Sequence, residues 1–311
     1  MYENLVIEGG GARIAAIGGT LLVLEKKGVL QKIKRYAGTS SGAITTAGLA
    51  VGFTGKEISK LLLNTDFSKF KDDDTGFLRD TYRFMGQWGL YKGNYFYNWI
   101  SELIAEKTGD RLYTFRQLYN DTGKELVLVT TNLNEDRPYY MSRYTQPDMP
   151  IAMAVRMSMS VPFGFVPIKF KGCYYVDGGV SDNYPLHIFD GHYPWQMRTL
   201  FKEANSKTLG LKLMGKEEHR DGMIHHVRND INNIVDFSTA LLTHMMNRIE
   251  RMSISPEYWK RTITVPTGEI GMMEFDLSRE RKVEAQKNAA AIASKQLEEL
   301  SKPDAPIQSR L

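Results

Sequence analysis

The chain has 311 residues, which is enough to bury a full hydrophobic core as one large α/β domain or two small ones. Its 40 basic and 36 acidic residues give a formal net charge of +4, a balance too mild and too well mixed to indicate a nucleic-acid partner. The single cysteine excludes a disulfide framework and favours a reducing, cytoplasmic location. The N-terminal residues predict no secretory signal, and no apolar stretch is long enough to cross a bilayer, so we expect any membrane contact to be peripheral.

The first 51 residues predict a strand, a glycine turn and a helix, and then a second unit of the same kind. Leu5–Ile7 is an apolar run that ends in glycines, and the segment 14–27 then carries apolar residues at helical spacing until Gly28. A second strand at 33–37 leads into a serine-containing turn and a small-residue helix at 43–51. Two strand–helix units in succession indicate a parallel sheet.

The segment 66–120 differs in composition from the units before it. Its first half is unusually rich in aromatic residues and contains a charge run at 69–74. One interpretation is a helical insertion that uses the rings as its core. The other is a groove or lid for an acyl chain, because apolar walls with few polar groups suit lipid tails. The residues alone leave both interpretations open.

The rest of the chain predicts further strands and helices that complete the same domain. The run 126–131 is apolar and β-branched throughout, as in a central strand that is buried on both faces. We expect one domain over residues 1–300, with its motifs in a core at 4–190. Closing strands and helices follow at 200–300, and residues 301–311 form a flexible tail. The further predicted strands lie at 174–176, 208–213 and 261–265, and the further helices at 151–160, 223–252 and 279–300.

A serine between glycines follows the second predicted strand. In Gly38-Thr39-Ser40-Ser41-Gly42, the G-x-S-x-G pattern places Ser40 on a turn so tight that only glycines fit beside it, which exposes the hydroxyl as a nucleophile. The alternative is a small-residue turn in which Ser40 only caps the helix that follows. The strand–turn–helix context favours the nucleophile.

A run of glycines ends the first predicted strand. Gly9, Gly10 and Gly11 offer backbone N–H groups that can hold an oxyanion, and two adjacent parallel strands bring this loop beside Ser40. A dinucleotide or phosphate loop is the rival interpretation, but the glycine that it needs at position 14 and the P-loop lysine are both missing. Arg13 is a candidate contact for an anionic head group. The alternative, which the sequence supports equally, is that Arg13 is an ordinary arginine on the solvated surface.

The nucleophile needs a base, and the two candidate types are histidine and aspartate. All six histidines lie beyond Asp177, and too few residues precede Ser40 for the several strands that come before the serine elbow of an α/β-hydrolase. Asp177 ends a predicted strand and is followed by two glycines that let the backbone turn sharply. A carboxylate is a weak base at its usual pKa, so a Ser40–Asp177 dyad requires a buried Asp177 that bonds directly to the serine. The alternative is an Asp-Gly turn that caps its own backbone.

These three motifs resemble those of the patatin-like phospholipases. Members of that family combine a G-G-G-x-[RK]-G loop after the first strand with a G-x-S-x-G elbow and a later D-G-[GA]. The matching residues are Gly9, Gly10, Gly11 and Arg13 in the loop, Ser40 in the elbow, and Asp177 and Gly178 in the third motif. The one departure is Ile14, which stands where the family loop has its last glycine.

The resemblance implies a three-layer α/β/α sandwich around a mostly parallel sheet, and an enzyme that cleaves lipid esters as a phospholipase A or lysophospholipase. It implies attack by Ser40, an acyl-serine intermediate and water activated by Asp177, with no metal or organic cofactor. The implied partner is a phospholipid or another lipid ester at a membrane surface; a thioesterase or neutral-lipid lipase would use the same machinery. The alternative function is a non-catalytic or partner-activated lipid-binding module on the same fold, motivated by Ile14 and by the aromatic-rich segment.

Overall fold

The computed structural model describes residues 1–72, 86–191, 204–215, 231, 237, 240–241, 243–246 and 256–301. Most of the helix predicted at 223–252, part of the aromatic-rich segment at 73–85 and the tail at 302–311 lie outside these ranges. Within them, helices flank a mixed sheet on which the predicted motifs are placed. No helix in these ranges is long and apolar enough to cross a membrane.

An eight-stranded, mostly parallel sheet organises the described part of the chain. The described residues form this sheet and a second, two-stranded one, and their strands in chain order are β1 Asn4–Ile7, β2 Arg35–Thr39, β3 Gly89–Tyr91, β4 Glu125–Asn132, β5 Arg137–Met141, β6 Phe163–Phe165, β7 Ile168–Phe170, β8 Cys173–Asp177, β9 Thr208–Gly215 and β10 Thr262–Gly268. The main sheet has the order β10-β9-β1-β2-β4-β8-β7, and β5 also pairs with β4. The strands from β10 to β4 in this order pair in parallel, whereas β5, β7 and β8 pair antiparallel. A separate small sheet joins β3 to β6 in parallel.

Helices flank this sheet, and two of them begin with a capping box. The helices are α1 Ile17–Lys26, α2 Ser41–Val51, α3 Gly55–Asn64, α4 Asn94–Thr108, α5 Phe115–Thr122, α6 Ile151–Ser158, α7 Pro256–Trp259 and α8 Arg279–Leu300. Thr54 and Glu57 form a capping box at the start of α3, and Thr114 and Gln117 form one at the start of α5. These reciprocal bonds satisfy backbone N–H groups that the first turn of a helix leaves open.

Alternating side chains of the central strands pack on the two faces of the sheet. Leu5 of β1 and Leu128 of β4 join the main core, to which α1, α2 and α8 contribute. Val6 and Val127, on the opposite face, join a smaller core with the 3₁₀ turn Leu186–Phe189. A mostly parallel sheet covered on both faces confirms the predicted α/β class with three layers.

The predicted elements in the described ranges are present, with shifts at their ends. The helix predicted from position 14 begins instead at Ile17, because residues Gly11–Ala16 wind as a tighter 3₁₀ turn. Within that turn the Ala12 N–H donates to the Met272 carbonyl over 2.8 Å. The glycine loop is thereby tied to the segment that follows β10, a contact that local sequence periodicity does not indicate.

Helix α8 packs closely against α1 and completes the layer behind the glycine loop. A Cβ at Gly19 would lie 1.8 Å from the Gln286 carbonyl oxygen, so only glycine permits this approach. The buried Gln286 side chain donates from Nε2 to the Ala15 carbonyl over 3.1 Å and to the Ser59 carbonyl over 3.2 Å. The C-terminal helix is therefore an integral part of the fold that carries the motifs.

The described rings of the 66–120 segment pack with one another. Phe67, Phe70 and Phe96 are buried, and the centroid of the Phe70 ring lies 5.1 Å from those of both Phe96 and Trp99. This packing favours the core interpretation for these rings. Residues 73–85 of the segment lie outside the described ranges.

Candidate active site

Ser40 lies on the sharp turn between β2 and α2. Its φ of 53° and ψ of −126° fall in a region that residues with a Cβ rarely adopt. A Cβ at Gly38 would lie 2.5 Å from Thr46 Oγ1, and one at Gly42 would lie 2.4 Å from the Ile7 carbonyl oxygen, so the flanking glycines are a packing requirement of the turn. The Ser40 side chain makes no capping bond to α2 and lines a cavity instead.

The register of β4 explains why two residues 137 positions apart meet. Val129 pairs with β2 along one edge and with β5 along the other, while Thr130 pairs with both β5 and β8. Strands β2 and β8 therefore share one edge of β4 and run in opposite directions along it. Thr39, the last residue of β2, pairs with Val129, and Asp177, the last residue of β8, pairs with Thr130. The carboxyl ends of β2 and β8 therefore meet beside two consecutive residues of β4, and this brings Ser40 next to Asp177.

The Ser40 hydroxyl and the Asp177 carboxylate are in direct contact. Ser40 Oγ donates to Asp177 Oδ2 over 2.6 Å, and the Gly179 N–H donates to Oδ1 over 2.7 Å. Asp177 is 1% exposed. Burial raises the pKa of its carboxyl from 3.8 to about 7, against the two hydrogen bonds, which lower it. A carboxylate with a pKa near neutrality is suited to accept the serine proton and to return it.

The Ser40 backbone is held by Ser158, whose function the sequence did not reveal. The Ser40 N–H donates to Ser158 Oγ over 2.9 Å, and the Ser158 hydroxyl donates to the Val129 carbonyl over 2.5 Å. Ser158 is fully buried at the end of α6. The available signal was the alternation of polar residues with methionines at 156–160, but the partner of Ser158 lies 118 positions away.

We expect Ser158→Ala to lower the free energy of unfolding by about 1–3 kcal/mol, because it leaves a buried N–H of Ser40 without an acceptor. Ester turnover should fall as well, since the strained turn loses the bond that fixes it. Urea unfolding and initial rates measure the two effects. Thr45→Val is the matched control: the Thr45 hydroxyl is buried in α2 and makes no hydrogen bond within the described ranges. Equal losses in the two variants would contradict this role for Ser158.

The glycine loop follows β1 beside the dyad. Two of its three N–H groups have partners: that of Gly9 donates to the Asn183 carbonyl over 3.2 Å, and that of Gly10 donates to the Ser41 hydroxyl over 3.0 Å. Gly11 has a φ of +54°, and its N–H makes no hydrogen bond to any residue that the structure describes. Gly10 and Gly11 line the same cavity as the dyad. The Gly11 N–H is therefore the donor most available to a ligand, while the other two hold the loop in place.

Gly11→Ala should displace this loop, since a Cβ there would lie 2.1 Å from the Met272 carbonyl oxygen in a left-handed backbone. We expect both thermal stability and ester turnover to fall. Gly28→Ala is the control: its φ is +70°, but no atom lies within 4 Å of the added Cβ. Gly28→Ala should lower the free energy of unfolding only by the backbone strain of about 1–2 kcal/mol, and it should leave turnover unchanged. Wild-type turnover in Gly11→Ala would show that the loop does not contribute to the reaction.

Two further contacts fix the glycine loop against its neighbours. Asn183 Nδ2 donates to the Gly9 carbonyl over 3.1 Å, which completes a two-way link between these residues. Glu8, just before the loop, is 2% exposed. Its Oε1 accepts from Lys212 Nζ over 2.7 Å, and its Oε2 accepts from the Leu213 N–H over 2.7 Å. A buried ion pair with such bonds contributes to geometry more than to stability.

Arg13 and Ile14 lie downstream of the glycines, and neither lines the cavity. Arg13 Nε donates to the Ile270 carbonyl over 3.1 Å. Ile14 is 2% exposed, packs in the main core and does not have a positive φ. The side chain that replaces the family's last loop glycine therefore lies among core residues and does not intrude on the catalytic groups.

The cavity at the dyad has mostly apolar walls. Met159 Sδ lies 3.6 Å from Ser40 Oγ. The apolar lining consists of Met159, Val161, Pro162, Phe165, Met246, Met272, Met273 and Phe275. Methionine side chains are flexible and polarizable, so a wall with four of them adapts to the shape of an apolar substituent. No described residue of the 66–120 segment is part of this lining.

Histidines and metal ligands are not found at the dyad in the described ranges. His187 and His244 are the described histidines, and neither lines the cavity. His187 Nε2 lies 3.7 Å from Asp182 Oδ2 instead. The described residues contain no group of three or more His, Cys, Asp or Glu side chains that could hold a metal ion.

Known proteins share both the sequence pattern and the fold. A family model described as patatin-like phospholipase matches residues 5–190. The chain is 34% identical over 284 residues to protein R571 of Acanthamoeba polyphaga mimivirus, covering 90% of this chain and 88% of that protein. It is 31% identical over 187 residues to the protein named probable lipid hydrolase 463L of Invertebrate iridescent virus 6, covering 60% and 63% of the two chains. The crystal structure of VipD from Legionella pneumophila shares the fold, with a TM-score of 0.61 at 17% identity over 96% of this chain and 67% of VipD.

The fold and its motifs define a class of α/β proteins with a serine elbow and a glycine loop at the ends of adjacent parallel strands. The match over residues 5–190 and the relative with 34% identity show that the chain belongs to the patatin-like phospholipase family. Membership of this family implies lipid ester hydrolysis.

Proposed function

We propose that this protein cleaves carboxylic ester bonds of lipids, as a phospholipase A or lysophospholipase, through an acyl-serine intermediate. Ser40 is the nucleophile and Asp177 the base. The observation that carries this proposal is the 2.6 Å hydrogen bond from Ser40 Oγ to Asp177 Oδ2 at the base of an apolar cavity. Family membership and the likeness to a protein named as a lipid hydrolase support a lipid substrate.

The acylation step uses the dyad and the glycine loop together. Deprotonated Asp177 takes the Ser40 proton while Oγ forms a bond to the acyl carbon, and negative charge develops on the carbonyl oxygen. The Gly11 N–H is the proposed donor to that oxygen, and Gly9 and Gly10 hold the loop in position through the bonds that they already make. Asp177 then gives its proton to the departing alcohol as the ester C–O bond breaks.

Deacylation repeats these transfers with water in place of the alcohol. Asp177 takes a proton from the attacking water, and the tetrahedral intermediate releases the fatty acid as Ser40 Oγ recovers a proton. Every proton transfer thus passes through one buried carboxyl group whose pKa burial raises to about 7. The same group therefore serves as base and acid in turn.

The surroundings of the dyad support a substrate with an apolar acyl chain. The cavity wall of methionine, valine and phenylalanine side chains excludes water and adapts to the chain. We propose Arg13 as the contact for a head group, because among the residues that the structure describes its guanidinium bonds through Nε to the Ile270 carbonyl and makes no other hydrogen bond. We also propose that residues 1–300 work as one catalytic unit in the cytoplasm, peripheral to membranes.

Mass spectrometry of the products from phospholipids with two different acyl chains tests this proposal. Wild type should release a fatty acid and a lysophospholipid, and the mixed chains identify which ester is cleaved. Monoacylglycerol and acyl-thioester substrates are run in parallel, and Ser40→Ala should be inactive on all of them. Absence of turnover by wild type on the whole panel would favour the alternative of a non-catalytic or partner-activated lipid-binding module.

A further inference from the structure

Two exposed aromatic residues near the cavity have left-handed backbones. Trp88 has a φ of 60° and is 51% exposed, and Phe163 has a φ of 66° and is 38% exposed. Bulky side chains rarely adopt a positive φ, and such strain persists only where the surrounding structure enforces it. Large rings that are half exposed on a strained backbone are candidates for a contact with a partner outside the molecule.

The small sheet of β3 and β6 brings the backbones of these two residues together. Gly89 at the start of β3 pairs with Phe163 at the start of β6, and Trp88 immediately precedes Gly89. A Cβ at Gly89 would lie 2.4 Å from the Val166 nitrogen, so this close parallel pairing requires glycine. Both aromatic residues therefore stand at the same end of one short parallel sheet.

A buried arginine anchors this sheet to the helix that supports the nucleophile. Arg156 of α6 is 2% exposed. It donates to the Lys92 carbonyl over 2.7 Å and to the Val166 carbonyl over 3.1 Å, just beyond the ends of β3 and β6. It also donates to Ser160 Oγ over 2.6 Å. The small sheet that carries the two residues is thereby tied to the helix beside the dyad.

The strand that carries Phe163 also forms one wall of the cavity. Pro162 and Gly164, on either side of Phe163, line the cavity, as does Phe165. Phe163 itself is not part of the lining and is exposed. The same four-residue segment thus contributes to the cavity wall and carries an exposed ring beside it.

A basic residue completes the surface next to Trp88. The Trp88 ring packs edge-on against Tyr174, with 5.1 Å between the ring centroids. Lys169, on the neighbouring strand β7, places its Nζ 5.3 Å from the centroid of the Tyr174 ring. Aromatic rings with one edge exposed to water, together with flexible cationic side chains, are the groups that proteins place at the boundary between the head groups and the acyl chains of a membrane.

We propose that Trp88, Phe163, Tyr174 and Lys169 form a docking face that binds a lipid bilayer containing anionic head groups. The two rings enter the head-group region and Lys169 contacts the anionic phosphates. Docking on this face places the cavity wall formed by β6 at the membrane surface, where a lipid can enter without crossing water. This inference rests on the proposed lipid substrate, but binding is measured independently of turnover.

Co-sedimentation with vesicles tests the docking face. We expect Trp88→Asn/Phe163→Asn to weaken partitioning into phosphatidylcholine vesicles that contain one-quarter phosphatidylglycerol by about 10- to 100-fold. Asparagine tolerates a positive φ, so the double variant should keep its fold, which its thermal unfolding verifies. Leu112→Asn is the matched control, because Leu112 is 58% exposed in the loop between α4 and α5 and lies outside the docking face. It should bind these vesicles as wild type does.

A charge variant and a soluble substrate separate the outcomes. Lys169→Glu should weaken binding to the anionic vesicles and leave binding to pure phosphatidylcholine vesicles unchanged. In the double variant, the ratio of hydrolysis on vesicles to hydrolysis of a soluble short-chain ester should fall with the loss of binding. If wild type binds vesicles but shows no turnover, the proposed enzymatic function is wrong and the docking face is supported. Failure of wild type to bind, or equal binding by wild type and the double variant, would overturn the docking face whatever the activity.

Discussion

Ser40→Ala should lose ester turnover by about 10⁴- to 10⁶-fold, because no other described hydroxyl is bonded to the Asp177 carboxylate. The loss should appear in kcat on every acyl substrate, including short soluble esters, since the missing group forms the covalent bond. Initial rates with a fluorogenic ester measure this directly.

Ser40→Gly is the companion variant that separates chemistry from backbone strain. Alanine at position 40 has to keep the φ of 53°, whereas glycine adopts that conformation without penalty. Both variants should be equally inactive, and the glycine variant should be more stable than the alanine variant by about 1–2 kcal/mol in urea unfolding. Equal stability of the two variants would show that the turn relaxes when the serine is removed.

Asp177→Asn should lower turnover by about 10³- to 10⁵-fold while the fold is retained. The Gly179 N–H donates to one carboxylate oxygen, so the amide oxygen of asparagine takes that place and its NH₂ group faces Ser40. An NH₂ group cannot accept the serine proton. Turnover close to that of wild type, measured with the same fluorogenic ester, would rule out Asp177 as the base.

The same substitution should stabilise the protein at alkaline pH. The folded-state pKa of Asp177, about 7, lies above its ordinary value of 3.8, so the folded protein holds a proton that the unfolded chain releases. The stability of wild type therefore falls as pH rises towards 7 and does not change further from this cause above 7. From pH 5 to pH 8, we expect the free energy of unfolding of Asp177→Asn to rise relative to that of wild type by on the order of 2–3 kcal/mol. Each pH unit between 5 and 7 contributes about 1.36 kcal/mol to this difference. Urea unfolding at the two pH values checks this, and an unchanged difference would mean that Asp177 stays charged throughout.

Local sequence signals were sufficient to predict the elements that carry the dyad. The glycines around Ser40 are required by contacts within one strand–turn–helix unit, so the turn can be recognised from five consecutive residues. Strands β1 and β4 have apolar runs because both faces of the sheet are covered, and the succession of strand–helix units predicts that the sheet is parallel.

The supporting contacts could not be predicted, because they join residues that are far apart in the chain. Ser158 meets the Ser40 N–H only because α6 and β2 converge at the edge of β4. The link between Asn183 and Gly9 spans 174 positions, and the pair of Glu8 and Lys212 spans 204. Each of these residues is a common polar or charged type, so its identity alone does not indicate which distant residue it contacts. The cavity wall likewise combines methionines from separate segments, which only the folded chain brings together.

Labelling with a lipid-like fluorophosphonate tests most directly whether Ser40 and Asp177 act as one nucleophile and base. Such a probe bonds covalently to an activated serine, and peptide mass spectrometry identifies the residue. We expect a single adduct on Ser40, with a labelling rate that rises with pH through about 7 as Asp177 loses its proton, and a rate lower by orders of magnitude in Asp177→Asn. An adduct on another residue, or labelling of Ser40 in Asp177→Asn at the wild-type rate, would contradict the dyad.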